Sequence, residues 1–78
     1  MPDVTYGDIR KALVDLRELN VSIPQIADAT DSGQRSLYRY LEDGQDETRT
    51  VQRGSVLLDQ LRQLYKLQRQ LLSLSRTK

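Results

Sequence analysis

The chain contains no cysteine, histidine, tryptophan or phenylalanine, and only two prolines and four glycines in 78 residues. Without cysteine there is no disulfide framework, and without cysteine or histidine the usual zinc-ligand sets are missing too. The core must be held by packing alone. A chain this short is expected to form one domain, and it sits near the size where a single core is marginal. Completion by a partner chain is therefore part of the expectation. No apolar run approaches the roughly 18 to 20 residues of a membrane span, and Met1 to Lys11 lack the basic-then-apolar layout of a secretory leader. A cytoplasmic protein is expected.

Catalytic chemistry finds little to stand on. No nucleophile paired with a general base and no glycine-rich phosphate loop is visible, and the acidic cluster Asp43, Asp46 and Glu47 lacks the alternating pattern of a calcium-binding loop. The expectation is a protein that is not an enzyme and needs no cofactor or metal. The net charge of +1 is uninformative, but its distribution is not. Residues 1–47 hold five Lys/Arg against ten Asp/Glu, and residues 48–78 hold seven against one, so the two parts carry −5 and +6. A polyanion would meet the second part, together with Arg35 and Arg39.

Three short helices and one long helix can be placed from local signals. Thr5 and Asp8 form a candidate capping box, followed by Ile9, Ala12, Leu13, Leu16 and Asn20 at helical spacing, which predicts a first helix over Thr5–Leu19. Ser22 and Gln25 form a second box, with Pro24 in the first turn where its missing N–H is harmless, so a second helix runs over Ile23–Ala29. Thr30 to Gly33 is rich in turn formers, and a third helix follows over Gln34–Leu41 before an Asp43-Gly44 stop. Gly44 to Thr50 reads as a surface loop, with Thr48 to Arg53 as an alternative wing strand.

The last segment, from Thr50 or Gly54 to Ser75, has no proline and is dense in leucine. Its apolar residues cover about 200° of a helical wheel, against roughly 100° for a helix docked on one core. The excess asks for a partner, and Leu57, Leu61, Leu64, Leu67, Leu71 and Leu74 are the candidate dimer interface. Strict coiled-coil heptads are not convincing, because the seam 57, 61, 64, 68, 71, 75 includes Gln68 and Ser75. The opposite face carries Asp59, Arg62, Lys66 and Arg69.

The segment from Ser22 to Gly44 has the layout of a helix-turn-helix. Ala27 fits the small position where two helices cross closely, and Ile26, Leu37 and Leu41 lock the pair. The 3.6-residue period puts Leu37, Tyr40 and Leu41 on one face of the third helix, and Gln34, Arg35, Tyr38, Arg39 and Glu42 on the other. Arginine can bond guanine O6 and N7 in a bidentate manner or clamp phosphate, and glutamine can pair adenine N6 and N7.

On these residues the chain resembles the lambda-repressor and Cro-like family of helix-turn-helix regulators, whose unit maps without a gap onto Ile23 to Glu42. The resemblance covers about half the chain, and RGSVLLDQLRQL, which follows the loop, is similar to the continuation seen in five-helix members. It implies base contacts at Gln34, Arg35, Tyr38 and Arg39, with Ser36 on the same helix, and phosphate contacts at Ile23 to Gln25. It places glycine, at positive φ, where Asp31 stands. The expectation is an all-α fold of four or five helices, a homodimer on double-stranded DNA, and a repressor-like transcriptional regulator encoded by a bacterium or a phage. A reading from another class is an antitoxin- or adaptor-like interaction module that docks through the leucine-rich helix. A basic helix lying on anionic lipid is a third.

Overall fold

The computed structural model describes residues 4–42, 44 and 46–76, and it is all-helical. Four helices are present among these residues: α1 (Tyr6–Glu18), α2 (Ile23–Thr30), α3 (Gln34–Leu41) and α4 (Gly54–Arg76). Asp43, which the sequence reading placed in the stop after the third helix, lies outside the described residues.

Both expected capping boxes form. The Asp8 amide donates to Thr5 Oγ1 at 3.3 Å and the Thr5 amide to Asp8 Oδ2 at 3.1 Å. At α2 the Gln25 amide donates to Ser22 Oγ at 3.4 Å and the Ser22 amide to Gln25 Oε1 at 2.9 Å. Each box satisfies amides that the first turn of a helix leaves without an intrahelical acceptor. These local bonds fix where α1 and α2 begin, one residue after Thr5 and Ser22 respectively.

The fully buried core is aliphatic, in line with the absence of phenylalanine and tryptophan, and Tyr40 and Tyr65 pack at its edge. Ile9, Leu13 and Leu16 of α1 are buried against Ile23, Ile26 and Ala27 of α2, Leu37 of α3 and Leu61 of α4, with Val21 beside them. Helix α1 packs on α3 and α4, and α2 packs on the same pair, so the two short helices and the long one share a single centre. The buried Thr30 hydroxyl donates to the Ile26 carbonyl at 2.8 Å, so its polar atom stays bonded inside the helix.

The connection from α3 to α4 is the surface loop expected over Gly44 to Thr50, with every described residue of that span exposed, and not the wing strand. No strand forms among the described residues, so the wing proposed for Thr48 to Arg53 is corrected to an isolated antiparallel bridge between Thr5 and Thr50. The Tyr6 amide donates to the Arg49 carbonyl at 2.8 Å, the Gly7 amide to the Glu47 carbonyl at 3.0 Å, and the Val51 amide to the Val4 carbonyl at 2.8 Å. The loop is thus laced onto the first turn of α1. Gly54 opens α4 at a close approach: a Cβ there would lie 2.9 Å from Val4 Cβ and 3.0 Å from Val51 Cβ.

Helix α4 has two parts with different surroundings. Leu61 is 0% exposed and belongs to the core, with Leu57, Leu58, Leu64 and Tyr65 packed around it. This corrects the interface expected from sequence: Leu61 is core, and Leu57 and Leu64 pack largely within the chain. Leu67, Leu71 and Leu74 remain 57%, 60% and 70% exposed. No described helix is long and apolar enough to cross a membrane.

Candidate nucleic-acid interface

Helices α2 and α3 meet through a three-residue turn whose geometry depends on Asp31. This residue takes the left-handed conformation, φ 53° and ψ 36°, directly after α2. Its amide and that of Ser32 both converge on the Ala27 carbonyl, the latter at 3.0 Å. That convergence closes the C-terminus of α2 in the manner of a left-handed cap. Aspartate tolerates this conformation better than most non-glycine residues because its short polar side chain suits local bonding. The chain therefore makes the turn without the glycine that the resemblance places there. Gly33 then precedes α3 in an extended conformation, and no side chain caps the first turn of that helix.

Only one α3 residue, Leu37, is fully buried, with Tyr40 and Leu41 packed partly against the core. A helix anchored on so narrow a face leaves the rest of its circumference to solvent. Gln34, Arg35, Ser36, Tyr38 and Arg39 are all exposed, so the structure puts together every α3 residue singled out from sequence. Tyr38 is half exposed and Tyr40 is not, in line with the division into an outward and an inward tyrosine. Among the described residues neither Arg35 nor Arg39 makes an ion pair, so both guanidinium groups keep their donors available.

Gln25 is also exposed, at the start of α2, but its side chain is already engaged. Its Oε1 accepts from the Ser22 amide and, at 3.1 Å, from the Ser22 hydroxyl. The amide nitrogen is left as the donor it can offer to a phosphate. The capping role, legible in the S-x-x-Q spacing, thus orients the group assigned to phosphate contact.

Sequence reasoning missed how α3 is supported at its far end. The Tyr40 ring lies against Tyr6 of α1, and Arg49 from the α3–α4 connection sits over the other partner of that pair, with its guanidinium carbon 5.6 Å from the Tyr6 ring centroid. The Tyr40 hydroxyl is pushed above its ordinary pKa of 10.0, first by partial burial and then by the neighbouring Tyr6, with Arg39 pulling in the opposite direction. Tyrosine count alone gave no signal for this stack, because its members lie far apart in the chain. Nearby, Glu47 approaches Arg10 at 3.7 Å, an exposed pair of small energetic weight. Thr48 donates to Asp46 Oδ1 from its amide at 3.0 Å and its hydroxyl at 2.6 Å, which holds the Asp46 carboxyl below its usual range.

The described residues contain no group of three or more His, Cys, Asp or Glu side chains that could hold a metal ion. What the α3 surface offers is a row of amide, guanidinium, hydroxyl and phenol groups on a helix backed by Leu37 and the Tyr6–Tyr40 contact. Such a row is suited to hydrogen bonding with base edges and phosphates. No family model matches the chain, and no curated protein or solved structure does so either.

Proposed function

We propose that this chain binds double-stranded DNA in a sequence-dependent way, with α3 in the major groove, and that it acts as a small transcriptional regulator. The observation that carries this reading is the division of α3 into a face anchored by Leu37 and a solvent face made of Gln34, Arg35, Ser36, Tyr38 and Arg39. Arg35 and Arg39 supply bidentate donors for guanine or clamps for phosphate, and Gln34 supplies the donor and acceptor pair that adenine requires. Ser36 and Gln25 add hydroxyl and amide donors for the backbone. One such helix gives a small contact area, so binding as a homodimer on paired half-sites belongs to the same reading.

The test is a fluorescence anisotropy titration against operator-length duplexes selected from a random library, repeated at two salt concentrations. Affinity should fall steeply with salt, because phosphate contacts release condensed counterions. Replacing Arg35 or Arg39 by Ala should weaken selected-site binding about 10- to 100-fold, as expected for the loss of one good bidentate contact. Absence of binding at low salt would overturn the proposal. It would favour instead an interaction module docking through α4, a reading supported by the exposed Leu67, Leu71 and Leu74.

A further inference from the structure

We infer that the Arg49 guanidinium holds a phosphate of the DNA strand flanking α3, and that the Tyr6 ring sets it in place for that contact. The inference rests on the reading of α3 as a helix in the major groove. It concerns a residue that lies outside the helix-turn-helix.

Arg49 is exposed, yet it is fixed at two points. Its carbonyl accepts from the Tyr6 amide at 2.8 Å, and its guanidinium carbon lies 5.6 Å from the centroid of the Tyr6 ring. A long side chain already laid on a ring gives up less rotamer freedom when it meets a ligand. Tyr6 packs in turn on Tyr40, with ring centroids 4.9 Å apart, and Tyr40 stands in the last turn of α3. The Arg39 charge is near enough to the Tyr40 phenol to act on its ionisation. Arg39, Tyr40, Tyr6 and Arg49 thus form one patch that runs off the end of α3.

The dimensions of the groove give this cation its partner. The eight residues of α3 span about 12 Å, no more than the width of the major groove, so the connection that follows leaves the groove past a sugar-phosphate strand. A guanidinium is permanently charged, and its planar fork of donors matches phosphate oxygens. The carboxylates of the same loop are otherwise engaged. Glu47 approaches Arg10 at 3.7 Å, and Asp46 Oδ1 accepts from the Thr48 amide and hydroxyl. The Thr48 bonds lower the Asp46 pKa more than the Arg49 charge does, and among the described residues Asp46 and Arg49 make no ion pair.

Helix α4 supplies a matched control. Arg69 lies over Tyr65 with its guanidinium carbon 5.8 Å from the ring centroid, the same pairing on a helix that packs against α1 and α2.

The test is the salt dependence of binding to duplexes of selected and of random sequence. Arg49→Gln should weaken both about 8-fold at 0.1 M salt and reduce the steepness of log affinity against log salt by about 0.9, the share of one phosphate. Arg49→Lys keeps the charge and should keep the slope, and Arg69→Gln should change neither quantity. Should Arg49→Gln fail to fold, the parent chain gives the answer: the Arg49 Nε–H resonance should shift and gain exchange protection when random-sequence duplex is added. A parent that binds no duplex at low salt removes the reading of α3 and this inference with it. A parent that binds, with a slope that Arg49→Gln leaves unchanged or that Arg69→Gln reduces equally, removes this inference alone. So does a loss confined to the selected sequence, or an Arg49 resonance that stays where it was.

Discussion

The rings of Tyr6 and Tyr40 meet with centroids 4.9 Å apart and planes inclined by 57°. This contact joins the first turn of α1 to the last turn of α3, so the helix that presents Arg35 and Arg39 is held at its far end by an element remote in sequence. Tilted aromatic pairs contribute about 0.5–1.5 kcal/mol beyond the area they bury. A double-mutant cycle with Tyr6→Ala and Tyr40→Ala should recover a coupling in that range, measured by urea denaturation. A coupling near zero would mean that the two ends are not energetically linked.

The same pair gives the protein an alkaline limit. Burial and Tyr6 raise the folded-state pKa of Tyr40 above 10.0, so the folded state holds the phenolic proton more tightly than the unfolded chain does. The resulting stability is fully present below pH 10.0 and is lost as pH rises through the folded-state pKa. Denaturation midpoints measured across this range should fall for the parent chain and fall less for Tyr40→Phe. Identical profiles would remove Tyr40 as the cause.

At Asp31 the backbone conformation, not the charge, sets the expectation. A β-branched side chain in the left-handed region is strained, so Asp31→Val should lower stability by about 1–2 kcal/mol, whereas Asp31→Gly should change it by less than half as much. Thermal unfolding of the two variants compares them directly. Equal losses would mean that the carboxylate matters more than the turn.

Gly54 allows a test in which two effects oppose each other. Alanine at a helical position gains up to about 1 kcal/mol over glycine. Here its Cβ would meet the branched side chains of Val4 and Val51 at 2.9 and 3.0 Å, and neither can swing a flexible end away. Overpacking should win, with Gly54→Ala less stable by about 1–3 kcal/mol. A stabilised variant would show that the start of α4 yields easily.

Gln68 should behave as a structural residue despite its polar character. Replacing it with Ala removes the donor to the Leu19 carbonyl at the end of α1 and should cost about 0.5–1.5 kcal/mol. Gln70→Ala, on the outer surface of the same helix, should cost much less. Chemical denaturation of the pair decides between them.

The parts of this fold legible in the sequence are those set by neighbours in the chain. Thr5 with Asp8 and Ser22 with Gln25 act across three residues, and they fixed two helix starts to within a single position. The period of α3 likewise told Leu37 from Arg35 and Arg39. The rest depends on residues that meet only after folding. Nothing local shows that Glu47, Arg49 and Val51 will bond the backbone of residues 4–7. The leucine pattern of α4 contained two seams one step apart around the helix, and wheel geometry alone cannot say which one the body covers. Gln68 looked like a defect in a dimer seam because its partner, the Leu19 carbonyl, is a backbone group that side-chain patterning does not display.

The bridge between Thr5 and Thr50 also bears on the order of events during folding. It closes a ring of chain containing α1, α2 and α3, and drawing together the ends of a segment of roughly 45 residues has an entropic cost on the order of 3 kcal/mol. Three backbone bonds and a tyrosine stack must offset that cost, and they can do so only once the helices inside the ring have docked. The amides of Tyr6, Gly7 and Val51 should therefore gain protection late in refolding and be among the first to exchange from the native state. The bridge is a clasp fastened last, and its opening would let the far end of α3 swing while the turn at Asp31 stays intact.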